Sequence, residues 1–183
     1  MKHHSWSKKL SGWLLATLLF CCGCSDDVQS EYSHHRAFFR FPMVSTTPQL
    51  LTALNNPGMF CTITFPPQVY RFSDADGRST DVQRTALEAY GKPIFIAGFL
   101  VGTPALGSGM PVAYDLVCPF CYENAYIQHS IRFKDNHLME CGRCGRQYDL
   151  NNNGIISKGG NGSPLYKYHI SYNPAQNLVM IQN

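Results

Sequence analysis

The stretch GMFCTITF, Gly58–Phe65, places Met59, Cys61, Ile63 and Phe65 on one side and Thr62 and Thr64 on the other, and Pro66-Pro67 ends it. A period of two marks a half-buried β-strand. Ile94–Val101 (IFIAGFLV) is an almost continuous apolar run, suited to a strand covered on both faces. Val112–Val117, Tyr126–Phe133, Leu165–Tyr172 and Leu178–Ile181 add further strand candidates. In LYKYHISY, Tyr166, Tyr168, Ile170 and Tyr172 share one face and Leu165, Lys167, His169 and Ser171 the other. That asymmetry turns the Tyr and Ile face inward and leaves His169 as a surface residue. Only Asp81–Tyr90 reads as a helix, with Asp81 as cap, Gly91 as stop, and Val82, Ala86 and Ala89 at helical spacing. No internal repeat is visible. The pattern predicts an all-β fold, a β-sandwich or small barrel with one short helix.

The chain has 183 residues, 44% of them hydrophobic and 15% charged, which suits one packed domain and argues against disorder throughout. Its formal charge of +3 comes from the N-terminus. Of the 15 Lys and Arg, Lys2, Lys8 and Lys9 precede the one long apolar run, so 12 basic residues remain against 12 acidic ones. A neutral domain with no concentration of Lys or Arg lacks the basic face that phosphates require, and nucleic-acid binding is excluded on that ground.

Residues 1–23 read as a secretory signal: a basic start, an apolar core from Trp13 to Cys22, then Gly23. About ten apolar residues make only ~15 Å of helix, half of a bilayer's hydrocarbon core. The run Leu19-Phe20-Cys21-Cys22-Gly23-Cys24-Ser25-Asp26-Asp27 resembles a bacterial lipoprotein signal, in which a small residue precedes the cysteine that is lipidated. Cys24, preceded by Gly23, meets that requirement; cleavage by ordinary signal peptidase is the alternative. Ser25-Asp26-Asp27 resembles the acidic export motif of some Gram-negative lipoproteins. The expectation is an outer-membrane lipoprotein of a Gram-negative cell envelope, periplasmic or surface-facing, whose membrane partner is its own lipid. Residues 24–36 read as a flexible tether, with His34 and His35 as solvated bystanders, and 37–183 as a single domain. Both tryptophans, Trp6 and Trp13, fall in the signal.

Four of the eight cysteines form a pattern: Cys118-Pro119-Phe120-Cys121 and Cys141-Gly142-Arg143-Cys144-Gly145, with nineteen residues between them. Two C-x-x-C pairs at this separation form a strong metal signature. Each turn points both sulfurs at one spot, and Gly142 and Gly145 permit the backbone angles such turns often need. Facing each other, the turns supply Cys118, Cys121, Cys141 and Cys144 as four thiolates around one ion. Two disulfides are the alternative in an exported protein, and free thiols a third. A thioredoxin-type redox pair is disfavoured on the reading that neither C-x-x-C follows a strand and opens a helix. Cys61 sits on an apolar strand face and reads as a small buried hydrophobe. His129 and His137 lie between the pairs and could each substitute as a ligand. The acidic turn with Asp74, Asp76 and Asp81 lacks the remaining positions of a calcium loop and reads as a solvated turn.

From Tyr114 onward the order of motifs resembles the Rieske domain. Ala113–Cys118 leads into Pro119; Cys141-Gly142-Arg143-Cys144-Gly145-Arg146-Gln147-Tyr148-Asp149-Leu150 follows; then come the turn Asn151–Gly154, the loop Gly159–Pro164 and the strand Leu165–Ile170. Cys118, Cys141, Gly145, Tyr148 and Asp149 stand in the family's register. The resemblance implies a Rieske-like β domain with a metal-binding subdomain at about residues 114–164. Its usual [2Fe–2S] cluster takes two Cys on one iron and two His on the other. Here Phe120 stands at the first His position and Cys144 at the second, with Cys121 one place beyond Phe120. The chain thus resembles a Rieske scaffold whose two loops have become zinc-ribbon knuckles.

Two functions follow as expectations. One is a non-enzymatic binding or accessory lipoprotein stapled by a structural Zn²⁺, with the loop Asn151–Asn161 as a binding surface. The other is an electron-transfer protein holding [2Fe–2S] or a rubredoxin-like mononuclear iron on the same cysteines, with a redox partner in the envelope. No G-x-S-x-G, H-E-x-x-H, P-loop or G-x-G-x-x-G motif occurs, which argues against an independent enzyme.

Overall fold

The computed structural model describes residues 30–183. The signal, the Cys24 lipidation position and residues 25–29 lie outside the described residues. Among the described residues twelve strands and two α-helices follow in order: β1 (Phe38–Phe41), α1 (Pro48–Asn55), β2 (Met59–Thr64), β3 (Val69–Ser73), β4 (Ser79–Gln83), β5 (Phe99–Thr103), β6 (Val112–Asp115), α2 (Pro119–Ala125), β7 (Arg132–Phe133), β8 (Leu138–Glu140), β9 (Gln147–Asp149), β10 (Ile155–Lys158), β11 (Lys167–Asn173) and β12 (Leu178–Gln182). The fold is all-β. One eight-stranded sheet runs β1-β12-β11-β6-β5-β2-β3-β4, and a four-stranded sheet runs β10-β9-β8-β7.

The large sheet curls into a half-barrel, and its aromatic side chains show how. Phe39 of β1, at one end of the sheet, lies 5.6 Å from Tyr70 of β3 near the other end, and Phe41 lies 4.7 Å from Phe72. Alternation then sorts each strand between two cores. Cys61, Ile63, Phe99, Val101, Ala113 and Tyr168 point into the concave side with Leu50, Ala53 and Leu54 of α1. Phe60, Leu100 and Tyr114, one position out of phase, point to the opposite side, where Met139, Tyr148, Leu150 and the cysteines pack. Each fully buried Leu or Phe contributes about 1.5–3 kcal/mol of burial. Gly102 of β5 makes this crossing tight: a Cβ there would stand 2.6 Å from Phe60 Cγ.

The strand expectations hold best for β2, β6, β11 and β12. Ile94–Val101 is shorter as a strand than its apolar run suggests. Ile94 makes a bridge to Phe38, but β5 begins only at Phe99. The buried Asp115 carboxylate takes the Ile96 and Ala97 N–H groups at 2.8 and 3.0 Å, and Gly98 turns at φ 127°, so the chain is held off the ladder there. Tyr126–Phe133 is mostly loop, because Tyr126 adopts φ 51° at the end of α2, Ser130 makes a single bridge to Val117, and only Arg132–Phe133 form a strand. The helix expected at Asp81–Tyr90 is absent. Ser79–Gln83 is the edge strand β4, tied to β3 by a bidentate ion pair of Arg71 with Asp81 at 2.7 Å, and only a 3-10 turn forms at Glu88–Tyr90. The α-helices lie at Pro48–Asn55 and Pro119–Ala125 instead, each opened by a proline at its first turn.

The segment read as a tether is docked from Glu31 onward. Ser33 N–H donates to Lys167 O at 2.8 Å, Glu31 pairs with Lys167, and Tyr32 stacks on His169 at 3.6 Å. His34 is exposed as expected, but His35 is not a bystander. It is half-buried against Tyr166 at 4.6 Å and Tyr122 at 5.4 Å. The acidic turn is a hydrogen-bonded surface turn, with Arg78 paired to Asp74 and Asp76.

Candidate metal centre

The two C-x-x-C turns are built differently. Cys118 follows β6 after two residues and caps α2, so Cys121 returns one helical turn later on the same side. The first pair therefore does follow a strand and open a helix, contrary to the sequence expectation. Its sulfurs nevertheless face the other pair. The second turn is a loop between β8 and β9, closed by Gly145 N–H to Cys141 O at 2.8 Å and Cys141 N–H to Arg146 O at 2.9 Å. Gly145 adopts φ 71°, a left-handed angle that favours glycine, whereas Gly142 needs no positive φ.

The four sulfurs of Cys118, Cys121, Cys141 and Cys144 all lie within 4.8 Å of one another. The close approaches cross between the turns: Cys118 Sγ to Cys144 Sγ is 3.7 Å and Cys121 Sγ to Cys141 Sγ is 3.8 Å. No disulfide joins these residues, so four thiols converge on one point, where they could hold a metal ion. Cys118, Cys121 and Cys141 are buried and Cys144 is half-buried. Burial pushes the Cys118 and Cys121 thiols up. Burial also acts to raise Cys144, but the Arg146 N–H, the Cys141 and Cys118 thiols and the Arg146 side chain outweigh it and hold Cys144 at about 7. Thiols this crowded and poorly solvated suit a cation that replaces their protons.

The surroundings close the site. Tyr148, fully buried, places its hydroxyl 3.4 Å from Cys118 Sγ. Phe120 lies under Arg146, whose guanidinium carbon sits 3.2 Å from the ring centroid, so a cation–π stack links the two turns. Arg146 also donates to Asn161 O at 3.3 Å, joining the glycine-rich loop to the site. Neither His129 nor His137 belongs to the cluster. His129 O instead accepts from Cys118 N–H at 2.9 Å, and His137 lies 3.3 Å from Asp135. Cys61 is fully buried in the concave core, as its strand position implies.

Sequence reasoning located all four cysteines but missed Arg146 and its stack on Phe120. A cation near an aromatic is too common in sequence to carry a signal. The chain matches no protein-family model and no curated protein.

Proposed function

We propose that this chain is an exported lipoprotein with a Rieske-like domain, anchored through Cys24 in a Gram-negative outer membrane and closed by one structural Zn²⁺ on Cys118, Cys121, Cys141 and Cys144. The observation that carries the metal reading is the pair of cross-turn distances. Four sulfurs about 2.3 Å from a common ion stand about 3.8 Å apart along each tetrahedral edge. The observed 3.7 and 3.8 Å match that edge. A two-iron cluster would separate the sulfurs into two pairs, one at each iron, whereas here all four crowd within 4.8 Å. A closed four-thiolate site has no open position for water or substrate, so its role is to hold the fold. The Rieske resemblance rests on the sequence register of Cys118, Cys141, Gly145, Tyr148 and Asp149.

The same tetrahedron suits a mononuclear iron, and the half-buried Cys144 would give electrons a short way in. Elemental analysis of protein purified without added metal separates the two: one zinc per chain and no colour supports the structural reading, whereas one iron with visible absorption supports electron transfer. Labelling cells with a radioactive fatty acid tests the anchor. Cys24→Ala should abolish incorporation, and undiminished label would remove the lipoprotein reading.

A further inference from the structure

The large sheet has a gap in its middle. In the antiparallel ladder between β11 and β6, Asp115 N–H donates to Tyr166 O at 2.9 Å, and Lys167 pairs with Tyr114 and Tyr168 with Ala113. Hydrogen-bonded pairs alternate, so the even residues of β11 aim their N–H and C=O groups at β6. On the opposite edge, Lys167 O accepts from Ser33 and the strand continues beside β12 from His169 to Asn173. In this register the residue facing Ile170 would be Pro111, which has no N–H to donate. The β6–β11 ladder accordingly stops at Tyr168 and Ala113. The N–H and C=O groups of Ile170 and Tyr172 are left with no strand partner on that side among the described residues.

A groove of about 1060 Å³ opens at this place. One wall is β11 from Lys167 to Tyr172, and the other is the β5–β6 loop with Leu106 and Met110. Those two side chains are 73% and 65% exposed, among the most solvent-exposed large apolar groups described. Leu54 and Val112 also line the groove, and Asn151–Asn153 close one end, where Asn151 Oδ1 holds Ala105 N–H at 2.8 Å. Its volume reaches the upper end of the range of small-molecule pockets.

We propose that this groove binds an extended segment of a partner polypeptide, added as a strand to the open edge of β11. A row of unpaired main-chain donors and acceptors is matched by another main chain. Side chains on one face of the added strand meet Ile170, Tyr172 and Leu54, and those on the other lie beside His169 and Ser171, so the segment alternates apolar with polar. The edge is recessed behind the loop 104–111. A free extended segment can enter, whereas the outer strand of a second copy's sheet, backed by its neighbours, is too broad. The site does not depend on the metal reading.

The test uses the full chain in detergent and a displayed library of random short peptides. A selected peptide is then remade with alternate amides N-methylated, once in each register. Methylation in one register should weaken binding at least about tenfold and in the other leave it intact. The Ile170 and Tyr172 amides should exchange quickly in the free chain and slow at least about tenfold with peptide bound. Leu106→Glu with Met110→Glu, on the exposed wall, should weaken binding without changing the melting temperature. Equal binding by both methylated registers, or no selection above an unrelated protein, overturns the proposal. So does slow exchange in the free chain, whether it depends on concentration (a second copy) or vanishes when residues 25–30 are deleted (the chain's own segment).

Discussion

Replacing Cys141 by serine removes one of the four clustered thiols at a fully buried position, 3.8 Å from Cys121 Sγ. An ion that binds only the folded chain stabilises it by about 4 kcal/mol when its free concentration is a thousandfold above Kd. For a domain of this size one kcal/mol moves the melting temperature by about 2–4 °C, so full metal loss corresponds to about 8–16 °C. A buried serine hydroxyl without a partner adds about 1–3 kcal/mol of cost. Thermal unfolding by circular dichroism, with and without chelator, and metal content by elemental analysis read the two effects separately. Wild type should lose stability in chelator and approach the variant, which should respond little. Cys61→Ser in the concave core supplies the control, since it should lower stability while leaving metal content unchanged. If Cys141→Ser retained a full equivalent of metal and melted like untreated wild type, with chelator shifting neither protein, the structural-metal argument would be refuted.

Tyr148→Phe removes the hydroxyl 3.4 Å from Cys118 Sγ and should cost about 1 kcal/mol, with metal affinity lowered but not abolished in a competition titration. Gly102→Ala should destabilise by about 1–3 kcal/mol in denaturant titration, because its Cβ meets Phe60 and the Met59 backbone within the sheet. Burial lifts the Asp115 carboxyl above its ordinary pKa despite bonds from the Ile96, Val117 and Ala97 N–H groups and the Tyr168 hydroxyl. The folded chain therefore holds this proton more tightly than the unfolded one, and the stability it contributes is present below the unfolded value and lost as pH rises through the folded value. Asp115→Asn cannot titrate, so its deficit in melting temperature relative to wild type should shrink as pH rises across that acidic window; a widening deficit would contradict the assignment.

The site was more legible in sequence than the fold around it. The paired C-x-x-C spacing is a local chemical constraint and survives without knowledge of packing. Strand alternation located Lys167–Asn173, where one face is more buried, and Met59–Thr64, although there Phe60 is buried on the second face as well. It failed where a distant group holds the chain. The bend at Ile96–Ala97 depends on Asp115, nearly twenty residues away. Asp81–Gln83 became a strand because Arg71 and β3 supply partners that helical spacing does not see. The helix Pro48–Asn55 had a usable signal in Pro48 followed by Leu50, Ala53 and Leu54, but its short length hid it. The docking of this segment rests on Tyr32 stacking on His169, His35 on Tyr166 and Glu31 pairing with Lys167, contacts that composition alone read as a polar linker.

The half-barrel sheet is a party wall. Phe60, Leu100 and Tyr114 furnish one room while Cys61, Phe99, Val101 and Ala113 furnish the other, so adjacent residues of the same strand serve different interiors. Damage to the room that holds the four cysteines need not empty its neighbour. Such a division also lets mutation remodel the cysteine turns while the aromatic room keeps the chain folded, a latitude that a single shared interior would deny.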